Sequence, residues 1–104
     1  MENPIPLIKN AKHDGEILYC YHALLKMSER QLKVDQIEQA LNSQEVEVLE
    51  IYPQIGRPSP ECLILGKNGG ERFLHILVAY PNIEVITTYE PKPPKWLNPW
   101  EREK

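Results

Sequence analysis

Glu61-Cys62-Leu63-Ile64-Leu65-Gly66-Lys67-Asn68-Gly69-Gly70-Glu71-Arg72-Phe73-Leu74-His75-Ile76-Leu77-Val78-Ala79-Tyr80 is the stretch that decides the architecture. Two apolar runs flank Lys67-Asn68-Gly69-Gly70, and an Asn-Gly pair in that position marks a hairpin, because a type I′ turn needs positive φ. The first run predicts a strand over residues 61–66. The second, residues 71–80, is apolar on both faces except at His75, which predicts a strand in the middle of a sheet.

Working outward, Pro81-Asn82 predicts the next turn and residues 83–89 a last strand. On the other side, Val46, Val48 and Tyr52 alternate with Glu45, Glu47, Leu49 and Ile51, the period of a strand with mixed exposure. Residues 53–60, with Gly56-Arg57-Pro58, form a loop. The chain has 10 prolines, and none lies between Leu7 and Tyr52, so that window holds the helices. Pro4 and Pro6 open a helix over residues 5–13, where a missing N–H costs nothing, and Asp14-Gly15 ends it. Residues 16–19 read as an extended link. A second helix runs from Cys20 or Tyr21 to about Gln31, with Cys20 a poor N-cap. Val34, Ile37, Ala40 and Leu41 fall on one face of a third helix over residues 34–41, which Asn42-Ser43 closes.

The layout is α+β: two to three N-terminal helices packed on one face of a four-stranded antiparallel β-meander. A chain of 104 residues is long enough for one domain and too short for two. Its core is expected at about residues 5–90. The proline-rich segment over residues 91–104 is expected to run as an extended tail, pinned by Trp96 and Trp100.

The net charge of −3 argues against nucleic-acid binding by the surface as a whole. The average conceals a pattern, however. Residues 9–33 carry five Lys/Arg against three Asp/Glu, whereas residues 35–50 carry five acids and no base. Cys20 and Cys62 have no metal-ligand spacing and read as reduced thiols. No apolar run approaches the roughly 20 residues of a membrane span, and the N-terminus lacks a signal peptide's apolar core, so a cytoplasmic protein is expected. Neither a cofactor nor a metal is indicated.

Three features can carry chemistry. On the second helix His22, Lys26 and Arg30 stand at i, i+4 and i+8, an imidazole and two cations on one face. They read either as an anion site, with Arg30 giving a bidentate fork, or as a solvated face in which Glu29 pairs with Lys26 or Lys33. His75, inside its apolar strand, is either a satisfied core histidine or a general acid or base on a cleft floor. Tyr89 is the third. A two- or four-residue turn at Pro81-Asn82 pairs His75 with Thr88 and puts Tyr89 on the opposite face, whereas a three-residue loop brings His75 and Tyr89 together. Arg57 and Arg72 are weaker candidates for phosphate contacts.

His22-Ala23-x-x-Lys26-Met27-x-x-Arg30, Leu63-Ile64-Leu65-Gly66, His75 and Thr87-x-Tyr89-Glu90-Pro91 with Trp96 together resemble a bacterial domain of unknown function. That family is marked by a His-Ala-x-x-Arg-Met-x-x-Arg helix and a Tyr-x-Pro…Trp end. Here Lys26 stands where arginine is usual, keeping the charge and losing the fork, and Cys20 stands where a capping serine is usual. The resemblance implies a fold similar to RelE-type and MqsR-type toxins. It also implies metal-independent cleavage of messenger RNA, commonly on the ribosome, countered by a zinc-ribbon or helix-turn-helix antitoxin. Under that implication His22, His75 and Tyr89 are the catalytic candidates, and Lys26, Arg30 and Arg72 hold phosphate. The alternative is a non-catalytic interaction module, or a degenerate toxin homologue that binds RNA or ribosomes without cutting.

Overall fold

Strand β4 (Phe73–Ala79) is the middle strand of a five-stranded sheet. The computed structural model describes residues 3–15, 17–52, 58–68, 72–93, 96 and 98–101, without the side chains of 12–14. The chain runs α1 (Ile5–Asp14), β1 (Leu18–Tyr19), α2 (Tyr21–Glu29), α3 (Val34–Leu41), β2 (Glu47–Tyr52), β3 (Glu61–Lys67), β4 and β5 (Glu84–Tyr89). β2 to β5 form the expected antiparallel meander. The fifth strand corrects the expectation. β1 pairs in parallel with β5, through Leu18 N–H to Ile83 O at 3.0 Å and Cys20 N–H to Val85 O at 3.2 Å, so the sheet is mixed. Two residues carry no alternation to read, and this pairing depends on a strand more than sixty residues away along the chain.

Register and burial sort the sheet into two faces. Ile64 opposes Ile76 and Cys62 opposes Val78, and these join Leu74, Ala23, Met27, Ile37, Ala40 and Leu41 in the core beneath the helices. Leu63, Leu65, His75 and Leu77 alternate onto the far face. That face is covered by the tail, where Trp96 is buried against His75 and Trp100 stacks edge-on to Phe73 at 5.1 Å. Trp100 Nε1–H also donates to Glu47. The tail is not extended throughout, because Trp96 N–H bonds Lys92 O at 3.1 Å, closing a turn.

Each helix has a local cause. Ile5 N–H donates to Asn3 Oδ1 at 3.0 Å at the start of α1, and Gly15 follows its end with φ +72°, a conformation that glycine adopts freely. Cys20 does cap α2: its Sγ accepts from Ala23 N–H at 3.4 Å and donates to Ile86 O at 3.4 Å. α3 begins with Lys33 N–H bonded to Gln36 Oε1 at 2.9 Å, and its face of Ile37, Ala40 and Leu41 is fully buried. Where α3 crosses β3, Gly66 leaves room for the backbone of Ala40. The β3–β4 connection closes with Asn68 N–H on Arg72 O at 3.0 Å, while the expected type I′ turn lies outside the described residues. Tyr80–Pro81 is cis in the β4–β5 turn.

Candidate functional site

The end of α2 places the first side chain. Leu32 N–H bonds Met27 O at 2.8 Å and Gln31 N–H bonds Ser28 O at 3.2 Å, with Gln31 left-handed at φ 58°. This paired closure, with Met27 and Leu32 both buried, ends the helix and turns Arg30 toward β5. Arg30 Nη1 donates to Thr88 O at 2.7 Å and to Thr87 Oγ1 at 3.5 Å, and its guanidinium carbon lies 6.0 Å from the centre of the Tyr89 ring. β1 pairs only with Glu84 and Val85, so the edge of β5 beyond it is served by side chains of the α2 region: Cys20 at Ile86 and Arg30 at Thr88.

A bulge places the second and third. Ala79 pairs with Glu84 and Val78 with Val85, the register that would set His75 opposite Thr88. Between Val85 and Thr87 the ladder shifts, Leu77 pairs with Thr87, and His75 comes to lie opposite Tyr89. The turn alone would have put the two rings on opposite faces, and one extra residue, Ile86, puts them on the same face. Their centroids are 5.3 Å apart, and His75 Nδ1 lies 3.4 Å from Tyr89 Oη. His75 Nε2 is 2.6 Å from Pro99 O, the centres of the His75 and Trp96 rings are 4.2 Å apart with the rings at 89°, and the imidazole has no exposed surface. His75 is therefore a satisfied core histidine, and it also backs onto a cleft.

That cleft, about 240 Å³, is lined by Arg30, Leu32, Tyr89, Glu90 and Lys92. An adjoining pocket of about 180 Å³ replaces Leu32 with Trp96. The two rings that enclose His75 thus also form part of the cleft wall. Among the described residues that line it, Glu90 is ion-paired with Arg72 and the two cations are Arg30 and Lys92.

The candidates divide accordingly. Arg30, Tyr89 and His75 come together, and Arg72 joins them through Glu90. Lys26 does not line the cleft and pairs with Glu29 at 3.4 Å, as the solvated reading of the stripe predicts. His22 is exposed on α2 and does not line the cleft, and its side chain makes no hydrogen bond among the described residues. Arg57 lies outside the described residues. Lys92, Glu90 and Leu32 were missed as site residues, and so was Pro99, which acts through its backbone. Lys92 and Glu90 flank Pro91 in the Tyr-x-Pro motif, the one signal that pointed to them.

Away from the cleft, Cys62 and Tyr19 have shifted acidities. Burial pushes the Cys62 thiol up to about 12. Tyr19 is raised beyond the ordinary phenol range, first by burial and then by Glu38, whose carboxylate accepts its hydroxyl at 3.3 Å. No group of His, Cys, Asp and Glu among the described residues is arranged to hold a metal ion. Among them, too, no helix is long and apolar enough to cross a membrane.

The model of one protein family, described as Domain of unknown function (DUF4258), matches residues 19–90. The chain belongs to the DUF4258 family. No curated protein and no solved structure matches it. The matched span of this DUF4258 chain runs from β1 through β5 and takes in His22, Lys26, Arg30, Arg72, His75, Tyr89 and Glu90. Lys92, Trp96 and Pro99 lie beyond it, so the family segment supplies one wall of the cleft and the tail supplies the other.

Proposed function

We propose that this protein is a toxin-type endoribonuclease that cuts messenger RNA in the cytoplasm without a metal ion. An antitoxin of zinc-ribbon or helix-turn-helix type would hold it in check, and the RelE-like or MqsR-like architecture suggested by the sequence belongs to the same proposal. The observation that carries it is the meeting of Arg30, Lys92 and Tyr89 around one cleft, with His75 hydrogen-bonded behind Tyr89.

Cleavage of this kind needs the 2′-hydroxyl deprotonated, the pentacoordinate phosphorus stabilised and the leaving 5′-oxygen protonated. The Arg30 guanidinium and the Lys92 ammonium suit the non-bridging oxygens of a phosphate. Tyr89 suits proton exchange beside them. Arg72 acts indirectly by occupying Glu90, and His22 and Lys26 offer further contacts to a strand running along α2. With a net charge of −3, affinity for RNA resides in this local patch.

The purified protein is expected to leave 2′,3′-cyclic phosphate and 5′-hydroxyl ends on a mixed-sequence RNA. Tyr89→Phe, which keeps the ring and lacks the hydroxyl, is expected to keep a cooperative melt, lowered by the loss of the hydrogen bond to His75, and to cut nothing. An uncut RNA with the wild-type protein, or wild-type cleavage by Tyr89→Phe, overturns the assignment.

A different observation favours the rival, a non-catalytic interaction module. Leu18, Tyr21, Leu24 and Leu25 expose apolar surface on β1 and α2, with Tyr21 80% exposed. Binding of RNA or ribosomes without cleavage would identify the intermediate case, a degenerate toxin.

A further inference from the structure

We infer that Pro99, His75 and Tyr89 form a proton relay ending at the cleft, in which Tyr89 is the catalytic residue and His75 a positioning residue that accepts its proton without touching substrate. The inference deepens the ribonuclease reading above and rests on it for its substrate.

The direction of the relay follows from donor and acceptor chemistry. A peptide carbonyl only accepts, so the 2.6 Å contact to Pro99 O requires the hydrogen on His75 Nε2. In the neutral imidazole this leaves Nδ1 as the acceptor, and its partner at 3.4 Å is the Tyr89 hydroxyl, which then donates. A hydrogen bond of that length is loose, and substrate that presses the phenol inward would tighten it. The imidazole is packed in place, fully buried, with the centre of the perpendicular Trp96 ring 4.2 Å from its own. A carbonyl orients the imidazole, the imidazole draws on a hydroxyl, and the hydroxyl belongs to a half-buried side chain lining a cationic cleft. The same order of roles activates nucleophiles and bases on unrelated folds.

In the step proposed, the substrate 2′-hydroxyl gives its proton to Tyr89 Oη as the phenol proton passes to His75 Nδ1. O2′ bonds to phosphorus, the P–O5′ bond breaks with its electron pair on O5′, and O5′ takes a proton from solvent. His75 then returns its Nδ1 proton to the phenol oxygen, and Tyr89 releases one to solvent, restoring the resting state. Arg30 and Lys92 hold the charge that collects on the phosphate oxygens meanwhile.

The test has two arms on the full chain. Imidazole ¹⁵N spectra without substrate are expected to show Nε2 protonated and Nδ1 accepting, with the Nδ1 resonance moving to that of an unbonded nitrogen in Tyr89→Phe. His75→Gln supplies an amide N–H for Pro99 O and an oxygen for the Tyr89 hydroxyl, yet takes up no proton. With a fluorogenic RNA oligonucleotide its kcat is expected to fall about 100-fold or more with KM unchanged, whereas a purely structural His75 would leave kcat intact. A protonated Nδ1 in the resting protein, or wild-type kcat in His75→Gln, overturns the relay. A wild-type chain that cuts no RNA overturns the ribonuclease reading instead, and the Nδ1 resonance then decides by itself whether the hydrogen-bonded dyad exists.

Discussion

Gly66 of β3 lies so close to α3 that a Cβ on it would stand 2.2 Å from the carbonyl oxygen of Ala40 and 2.7 Å from its carbonyl carbon. The obstacle is helix backbone, which does not rotate aside as a side chain would. Gly66→Ala is therefore expected to push α3 off the sheet and cost about 3 kcal/mol, the upper end for overpacking a core. Urea denaturation checks this, with the midpoint falling and the slope unchanged.

Gln31 tests the turn that aims Arg30. Its left-handed backbone strains any residue with a Cβ, by an amount on the order of 1 kcal/mol. Gln31→Gly is expected to raise stability by about 0.5 kcal/mol, after the unfolded chain's gain in freedom is subtracted. Gln31→Val should lower it. A thermal melt of each separates the two.

Arg30 answers to both stability and binding. Arg30→Ala removes the donor to Thr88 O and is expected to cost about 1–2 kcal/mol. Binding of a short RNA to it should weaken, and the slope of log affinity against log salt should shrink by about 1. Arg30→Lys should keep most of that slope and lose the hydrogen-bonding fork. A salt titration by fluorescence anisotropy reads all three proteins.

Trp96, 2% exposed, covers the far face of the sheet. Trp96→Ala is expected to destabilise by about 3–5 kcal/mol, as for other buried aromatic residues. A chain stopped after residue 90, where the family match ends, should fare worse, because it uncovers Leu63, Leu65 and His75 together. Dye binding to the exposed apolar face and loss of a cooperative melt would report it.

Cys62 gives a pH dependence of definite sign. Its thiol rises from an ordinary 9.0 to about 12 in the folded protein, so above about pH 9 the unfolded chain has lost a proton that the folded chain keeps. This contribution to stability is complete below pH 9 and drains away between about pH 9 and 12. Tyr19, raised by burial and then by Glu38, acts in the same sense at higher pH. Stability measured from pH 8 upward should fall more steeply in the wild type than in Cys62→Ala, and alkylation at pH 8 should mark Cys20 well before Cys62.

Much of this was legible in the residues. The continuous apolar run around His75 and the apolar face of Ile37, Ala40 and Leu41 are local signals, and β4 and α3 stand where they predict them, with β3 and β4 paired antiparallel as the Asn-Gly hairpin requires. What escaped was non-local. Leu18-Tyr19 becomes a strand only because Ile83 and Val85 offer carbonyls to it, and Cys20 becomes an adequate cap because Ile86 holds its thiol in place. At the site, spacing alone grouped His22 and Lys26 with Arg30, whereas the cleft takes Arg30, which reaches Thr88 from just past the end of the helix, and passes over the exposed His22 and the Glu29-paired Lys26. Pro99 was out of reach of sequence reasoning altogether, because it contributes a main-chain oxygen that every residue possesses.

The bulge at Ile86 turns strand length into a matter of parity. Side chains along a strand point to one side or the other by odd and even count, so the segment between the cis-proline turn and Tyr89 works as a one-bit setting. Two chains with the same His75 and Tyr89 but differing by a single residue in that segment would look alike letter by letter. One would hold its tyrosine against the imidazole, and the other would hold it on the helix side of the sheet.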